Sequence, residues 1–294
     1  MEKEKYKAYA KVIMAMIIWG TLGIFVKQIN LESSQIVLGR IFLGGLFLGI
    51  ILLFTKTRSP KANLKKYAPY LILSGCAMGF NWALLFESYR YTTVSLATIA
   101  YYCAPIVVMI ASPFILKEKI TKKKVIGIAT AMVGLLCISG NLEGGVDPVK
   151  GFAYGLMAAI LYASITLINK RVSGISGIEI TLIQLVSAGV VMLPYSIITN
   201  DSGWQLPHGF GLVCLIVIGI IHTGIALYFY FSAVQELPGQ SIALCSYIDP
   251  AAAFFFSAIF LGERLGVMEL VGAALILGGA AYGEITLKKK RERG

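Results

Sequence analysis

The chain has 294 residues, of which 57% are hydrophobic and 14% are charged, and its mean hydropathy is +0.78. A water-soluble domain is roughly 45 to 50% apolar and about 25% charged, so this composition excludes an ordinary soluble protein and predicts an all-α membrane protein. The formal net charge of +11 does not indicate a nucleic-acid partner, because the basic residues lie in short connections without the interleaved aromatic residues of a stacking surface.

Apolar runs, taken in chain order, predict ten membrane-spanning helices. Each run is near the ~20 residues that a helix needs to cross ~30 Å of hydrocarbon. The predicted spans cover residues 8–28, 34–55, 67–90, 93–116, 123–140, 151–170, 177–199, 209–235, 239–261 and 267–287. Because the connections are short, we expect successive spans to pack as antiparallel neighbours.

Basic residues are divided unequally between alternate connections. If the N-terminus is cytoplasmic, the connections on that side hold 21 Lys and Arg residues, the opposite side holds four, and Arg40 lies within a span. Cytoplasmic loops retain positive charge. We therefore predict a multi-pass protein of the cell (plasma or inner) membrane with both termini in the cytoplasm.

The two halves of the chain are related in sequence. Moving the stretch 224–283 back by 145 positions lays it on 79–138 without a gap. The residues that then coincide are Tyr247 with Tyr102, Pro250 with Pro105, Glu263 with Glu118, Gly272 with Gly127 and Gly279 with Gly134. Earlier in the halves the match is weaker, and at an offset of 144 Arg40 coincides with Gln184.

This repeat predicts the topology. The halves, residues 1–142 and 143–294, contain five spans each, and an odd number means that the second half enters the membrane from the opposite side. The predicted fold is therefore two inverted five-helix repeats around a central cavity. Inverted repeats recur in secondary transporters, where one central site is exposed to each side in turn.

Ionisable residues within the spans are candidates for function, since a charge at a helix centre costs roughly 2.5 to 3.5 kcal/mol on insertion scales. Asp249 lies mid-span before Pro250, whose missing N–H frees carbonyl groups. It is a candidate proton or cation site or, alternatively, a buried acceptor that fixes helix packing. His222 lies at similar depth, and its unperturbed pKa near 6.5 suits a proton relay; the alternative is a neutral interhelical hydrogen-bond partner.

A carboxylate and a guanidinium lie at compatible depths near the outer ends of two spans. Glu87 is about one turn from the outer end of the third span, and Arg40 is about two turns inside the second. They are predicted to form an ion pair, either as a structural salt bridge or as a gate that breaks when the outer side opens. Glu87 is also a candidate for proton or ion coupling.

Aromatic and polar residues recur on single faces of several spans. In the fourth span Tyr101 and Tyr102 precede Pro105. In the ninth span Tyr247 precedes Pro250, and both prolines are predicted helix kinks. Tyrosine combines an apolar ring with a hydroxyl, which suits amphipathic solutes, although it is also an ordinary packing residue. The predicted cavity-lining residues are Trp19, Asn81, Tyr101, Tyr102, Tyr162, His222 and Tyr247.

Two glutamates occupy matching positions between spans. Glu118 and Glu263 each precede a span, where a carboxylate suits the positive end of a helix dipole. We interpret them as clamps of helical hairpins rather than as solute ligands.

The sequence does not indicate a catalytic centre, a metal or a cofactor. The five cysteines lie in apolar runs without a Cys-x-x-Cys spacing, and the two histidines, His208 and His222, cannot form a multi-histidine site. A nucleotide-binding motif is absent as well. We therefore predict that the protein is not an enzyme, with an intramembrane enzyme as a remote alternative.

Several short motifs, in their order and duplication, resemble a known family. They are Trp-Gly-Thr at 19–21, Arg40, Tyr-Arg-Tyr-Thr at 89–92, Pro105, Pro250, Leu-Lys-Glu-Lys at 116–119 and Leu-Gly-Glu-Arg at 261–264. Together they resemble the drug/metabolite transporter superfamily and, within it, the EamA-type transporters. The resemblance implies two inverted five-helix repeats around a cavity that carries small organic solutes. The chain departs from the family pattern at Glu87, where a small apolar residue is expected, and at Lys117, where glycine is expected.

The predicted function is that of a secondary transporter or facilitator, an exporter of small amphipathic metabolites such as amino acids or drug-like solutes, working by alternating access. Coupling to protons through Asp249 or His222 is an addition to this hypothesis. The alternative within the same fold is a flippase or scramblase of lipid or lipid-linked headgroups. The expected partners are a small-molecule solute and membrane lipid, and the expected state is a monomer or homodimer.

Overall fold

The computed structural model describes residues 2–54, 58–138, 145–200, 203–261 and 266–284. Every regular element in these ranges is helical, as the sequence predicts. In chain order the elements are α1 (Glu2–Gly20), α2 (Leu22–Val26), α3 (Ser33–Phe54), α4 (Lys61–Tyr91), α5 (Val94–Tyr101), α6 (Ala104–Ile115), α7 (Lys122–Ile138), α8 (Pro148–Arg171), α9 (Gly177–Thr199), α10 (Phe210–Val217), a π-helix (Ile218–Ile225), α11 (Ala226–Glu236), α12 (Gly239–Ser246), α13 (Ile248–Leu261) and α14 (Val267–Glu284).

Eight stretches of the described chain are long and apolar enough to cross a membrane. They are Lys3–Val26, Ser33–Phe54, Lys61–Tyr91, Leu96–Ile115, Pro148–Arg171, Gly177–Thr199, Phe210–Glu236 and Gly239–Phe260. These stretches match eight of the ten predicted spans. Helix α7 has 17 residues, and the apolar part of α14 covers Leu270–Gly283, so the fifth and the tenth spans stay predictions.

Two of these stretches are interrupted near their middle, at matching positions of the two halves. Tyr102 and Cys103 separate α5 from α6, and Pro105 lies in the first turn of α6. Tyr247 separates α12 from α13, three residues before Pro250. Because proline has no N–H to donate, a helix loses a backbone hydrogen bond at each of these positions.

The interior of the bundle is apolar, and so is its outer surface. The largest buried cluster joins α1, α3, α4, α8, α9, α11 and α12, and a second cluster joins α5, α6, α7, α8, α12, α13 and α14. On the outside Phe54, Phe114 and Ile198 are 83%, 82% and 80% exposed. Such exposure is compatible with lipid as the surrounding solvent, since lipid tails are themselves apolar.

Helices α7 and α14 cross at glycines that let their backbones touch. A Cβ on Gly127 would lie 2.6 Å from the carbonyl oxygen of Gly279, and a Cβ on Gly134 would lie 2.5 Å from that of Gly272. The contacts run in opposite directions along the two helices, so α7 and α14 pack antiparallel. Small residues at such crossings allow close approach of helices within a membrane.

Hydrogen bonds between the segments that connect the helices show which of these segments lie at the same end of the bundle. Contacts at the first end are Ser59 with Glu179, Arg171 with Ile115 and Glu118 with Gly239. Contacts at the second end are Tyr91 with Asp147 and Gln35 with Asn200. Helix α7 therefore lies between a contact of the first end, at Glu118, and a contact of the second end, at Asp147.

We expect Gly279→Ala to lower the midpoint of thermal unfolding in detergent, because its methyl group would overlap the carbonyl oxygen of Gly127. Overpacking of this kind costs about 1 to 3 kcal/mol. The adjacent Gly278→Ala is the matched control. A Cβ there meets no atom within 4 Å, and alanine favours a helix over glycine by about 1 kcal/mol, so the midpoint should stay or rise. An equal loss in both variants would contradict the glycine contact.

Candidate functional site

A cavity of about 610 Å³ lies inside the bundle between helices of both halves of the chain. Its walls come from α1 to α6 of the first half and from α8, α11, α12 and α13 of the second. It extends from Tyr162 and Tyr230 in the interior to Lys27 and Ser33 toward the second end. The volume suits a small organic solute, since ligand pockets typically measure about 300 to 1,000 Å³.

A row of aromatic rings forms one wall of the cavity. The ring centroids of Trp19 and Tyr230 are 5.3 Å apart, and those of Tyr230 and Tyr162 are 6.1 Å apart. The row continues from Tyr162 to Tyr101 at 5.7 Å and from Tyr101 to Tyr102 at 5.9 Å. These spacings are typical of interacting aromatic pairs. The five rings form one continuous surface, and every ring in it except Tyr230 belongs to a predicted lining residue.

Asn81 also lines the cavity, although it is only 1% exposed. Its Nδ2 donates to the carbonyl oxygen of Ala158 at 2.6 Å, and the hydroxyl of Tyr101 donates to its Oδ1 at 3.5 Å. The first bond ties α4 to α8, and the second orients the Tyr101 ring. Asn81 therefore positions part of the aromatic row as well as lining the cavity.

Asp249 lies on the cavity wall in the first turn of α13. The hydroxyl of Tyr102 donates to its Oδ2 at 2.8 Å. Within the part of the chain that the structure describes, no Lys or Arg nitrogen lies within 4.0 Å of this carboxylate. The residue at the matching position of the first half is Ala104, so the carboxylate is a feature of one half alone.

His222, a predicted lining residue, lies outside the wall of this cavity. The residue is 1% exposed and lies in the π-helix behind Trp19, whose Nε1 donates to the His222 carbonyl oxygen at 2.8 Å. The Thr21 hydroxyl donates to the carbonyl of Ile18, so at 2.9 Å it accepts from the Nε2–H of His222. The ring acts as the interhelical hydrogen-bond partner that the sequence left open as the alternative.

Tyr247 is likewise a packing residue rather than part of the cavity wall. It is fully buried, and its ring stacks on that of Tyr102 at 6.3 Å. Its hydroxyl donates to the Tyr102 carbonyl oxygen at 3.2 Å. Helical spacing placed it on the correct face of its span, but the neighbouring Tyr102 covers it.

The predicted ion pair between Arg40 and Glu87 is not formed in this structure. Glu87 pairs with Arg90 at 3.1 Å and accepts a hydrogen bond from the hydroxyl of Tyr195 at 2.9 Å. Arg40 instead lies over the ring of Trp82, with its Cζ 4.7 Å from the centroid. The two residues have similar depth in their spans, but the cation that pairs with Glu87 is Arg90 on its own helix.

The sequence analysis did not predict five aromatic residues of the cavity wall, Trp82, Phe86, Tyr89, Tyr230 and Phe231. Tyr230 stands in a run of four consecutive aromatic residues, 228–231, and the run did not show which ring points inward. Its hydroxyl lies 2.8 Å from that of Thr166, and its ring lies between those of Trp19 and Tyr162 in the row. Trp82 follows Asn81 directly, and only the structure places both side chains on the cavity.

Glu118 holds the beginning of α12 through backbone hydrogen bonds. Its Oε1 accepts from the Gly239 N–H at 2.7 Å, and its Oε2 accepts from the Gln240 N–H at 3.2 Å. A carboxylate at this position satisfies donors that have no partner within the helix. Glu263, its counterpart, lies outside the described residues.

Lys117, next to Glu118, occupies a backbone conformation that favours glycine. Its φ is 57°, in the left-handed region, which explains why the family resemblance leads us to expect glycine there. A side chain in this region costs roughly 1 to 2 kcal/mol.

We expect Lys117→Gly to raise the thermal midpoint in detergent, corresponding to roughly 1 kcal/mol. The control is Lys119→Gly, two residues further along the same connection, where φ is not positive. That change adds backbone freedom to the unfolded chain and should lower the midpoint. A lower midpoint for Lys117→Gly would contradict the assigned backbone conformation.

Comparison with known proteins identifies the family. A model described as the EamA-like transporter family matches the chain twice, over residues 7–140 and 149–282. The chain is 28% identical over 283 residues to the "Uncharacterized transporter YxxF" of Bacillus subtilis (strain 168), covering 95% of this chain and 90% of that protein. It is 24% identical over 305 residues to the "Uncharacterized inner membrane transporter YhbE" of Escherichia coli (strain K12), covering 96% and 93%.

A solved structure described as "Crystal structure of protein" is similar in fold. Its TM-score is 0.84, covering 95% of this chain and 98% of that chain, at 16% sequence identity. This likeness shows the fold alone. The two family matches together cover most of the chain, one in each half. The protein is therefore a multi-pass membrane protein that belongs to the EamA-like transporter family.

Proposed function

We propose that the protein is a secondary transporter or facilitator that exports small amphipathic metabolites, such as amino acids or drug-like solutes, by alternating access. The observation that carries the proposal is the cavity itself, which combines an aromatic wall with charged side chains and extends toward one end of the bundle. A family of transporters provides the general role, and the cavity provides the place where a solute would bind.

The opposite end of the bundle is held closed by polar contacts between the two halves. Contacts that join a residue of the first half to one of the second at this end include Lys11 with Glu236, Tyr9 with Ser241, Glu118 with Gly239, Arg171 with Ile115 and Ser59 with Glu179. The excess of positive charge makes this end cytoplasmic on our proposal. The described conformation is then open toward the outside of the cell, with both termini in the cytoplasm.

The proposed inverted repeats, residues 1–142 and 143–294, are supported by the crossing of α7 and α14. The sequence repeat matches Gly127 with Gly272 and Gly134 with Gly279. The contacts join Gly127 to Gly279 and Gly134 to Gly272. A two-fold axis between two antiparallel helices exchanges one contact with the other. This reciprocity is what an inverted pair of five-helix repeats requires.

Proton coupling is proposed for Asp249 and not for the other two candidates. Asp249 lies on the cavity, and within the described ranges its side chain has one hydrogen-bond donor, Tyr102, so a proton or a cationic solute group can reach it. His222 is buried behind Trp19. Glu87 lies off the cavity wall and is paired with Arg90.

The proposal is tested in vesicles that contain the purified protein. Counterflow of a labelled solute, found by screening amino acids and cationic drug-like compounds, is expected if the protein is a carrier. Translocation of labelled lipid headgroups without solute counterflow would favour the flippase alternative. Covalent turnover of a solute would favour an enzyme. The oligomeric state, monomer or homodimer, is read from the same preparation by light scattering.

We expect Asp249→Asn to abolish the acceleration of solute flux by a pH gradient while solute counterflow persists. The amide keeps the size of the side chain and its capacity to accept from Tyr102, but it cannot take up and release a proton. The control is Glu87→Gln, which removes a carboxylate outside the cavity and should leave the pH response intact. A pH response that survives in Asp249→Asn would refute the coupling role.

We also expect α7 to cross the membrane. In a variant without the five native cysteines, Lys119→Cys and Val146→Cys should be labelled from opposite sides of intact cells by a reagent that does not cross the membrane. Both native side chains are exposed, and they flank α7. Labelling of both positions from the same side would exclude five spans in the first half, and with them the inverted repeat.

A further inference from the structure

Arg40 presents a cation to the cavity, and no hydrogen-bond acceptor for it is found among the residues that the structure describes. It lies in α3 on the cavity wall, half-buried, and its Nε is buried without a hydrogen-bond partner. Among the residues that the structure describes, no carboxylate lies within 4.0 Å of its guanidinium. A guanidinium carries five N–H donors, so this side chain offers hydrogen bonds that the described protein does not use.

The contact with Trp82 holds Arg40 without using those donors. The Cζ atom lies 4.7 Å from the centroid of the indole ring, within the range of a cation–π interaction. Such an interaction neutralises little charge and provides no lone pair for the N–H groups. It fixes the guanidinium at the wall and leaves its hydrogen-bonding capacity for another group.

The polar groups of the aromatic row are already paired within the protein. Trp19 donates to His222, Tyr102 donates to Asp249, and the hydroxyl of Tyr230 contacts that of Thr166. A solute would therefore gain little by hydrogen bonding to this aromatic row. Arg40 is different, because an anionic group would give it the charge-assisted and often bidentate partner that guanidinium prefers.

We propose that Arg40 binds the carboxylate of the transported solute. This inference rests on the proposed function, since it names the group by which the carried molecule is held. A singly charged carboxylate is favoured over a phosphate monoester, because Asp249 lies on the same cavity wall and would repel a second negative charge. The aromatic row then accommodates the apolar part of the same molecule.

The test uses acids and their amides as matched probes. The purified full-length protein in lipid nanodiscs is titrated with N-acetyl-L-leucine, phenylacetate and hexanoate, and with the amide of each. Binding is measured as thermal stabilisation, which grows with ligand concentration above Kd. We expect at least one acid to bind about tenfold or more tightly than its amide, as fits a hydrogen bond to a charged group. Equal binding of all acids and amides, or no binding by any acid, would overturn the inference.

Two substitutions test whether the tighter binding of acids than of amides depends on Arg40. Arg40→Gln should remove the difference between acid and amide, and Arg40→Lys, which keeps the charge but not the fork, should retain part of it. Arg90→Gln is the matched control, because Arg90 is a cation outside the cavity, and it should keep the full difference. Retention of the full preference in a folded Arg40→Gln protein, with monodisperse elution as the criterion for folding, would refute the assignment.

Solute flux separates this inference from the proposed function. If vesicles transport solutes but do not distinguish acids from amides, the result supports the carrier function and contradicts the proposed role of Arg40. If the protein carries none of the solutes screened, the proposed function falls. If Arg40→Gln also lowers the flux of amides as strongly as that of acids, Arg40 supports the cavity structurally and does not bind a carboxylate.

Discussion

The two interrupted helices hydrogen-bond to each other, and the cavity depends on that contact. Hydrocarbon offers no partner to a freed backbone carbonyl, so a broken helix is tolerated only where protein or a cavity replaces its lost bonds. Here the hydroxyl of Tyr247 donates to the carbonyl oxygen of Tyr102 at the other break. The hydroxyl of Tyr102 in turn donates to Asp249. One chain of bonds thus links the two breaks and holds a carboxylate on the cavity wall.

The two halves of the chain have matching residues where α7 and α14 pack together, but they have different polar residues at the cavity. The four glycines of α7 and α14 make reciprocal backbone contacts, and a Cβ on any of them would overlap the facing carbonyl oxygen. At the cavity, Asp249 coincides with Ala104 and Arg40 coincides with Gln184. Gln184 is fully buried and donates to Asn169 at 2.6 Å, so in the second half that position serves packing. A solute without two-fold symmetry does not need the same polar contact from both halves.

The sequence predicted how deep a residue lies along its span, but it did not predict toward which neighbours the side chain points. Apolar length predicted eight spans that match stretches of the structure. The 145-residue repeat matched the four glycines of the crossing of α7 and α14, but it did not show which of them touch. Five of the seven predicted lining residues lie on the cavity wall. Arg40 and Glu87 have compatible depths, but depth alone did not reveal that Glu87 is satisfied by Arg90 on its own helix. His222 and Tyr247 lie one layer behind the wall, and a single sequence does not distinguish first from second layers.

The hydrogen bonds that the wall residues make within the protein also affect how easily an empty carrier would close and reopen to the other side. Hydroxyl and indole groups that are bonded to protein lose nothing when the cavity closes around them, so the aromatic row does not oppose closure of an empty site. A guanidinium without an acceptor would be buried with its N–H groups unsatisfied, which is unfavourable in a low dielectric. A bound carboxylate removes that penalty, because it supplies both the opposite charge and the acceptors. On the proposed mechanism, Arg40 therefore favours closure of the loaded carrier over closure of the empty one, which favours exchange of solutes over return of an empty site.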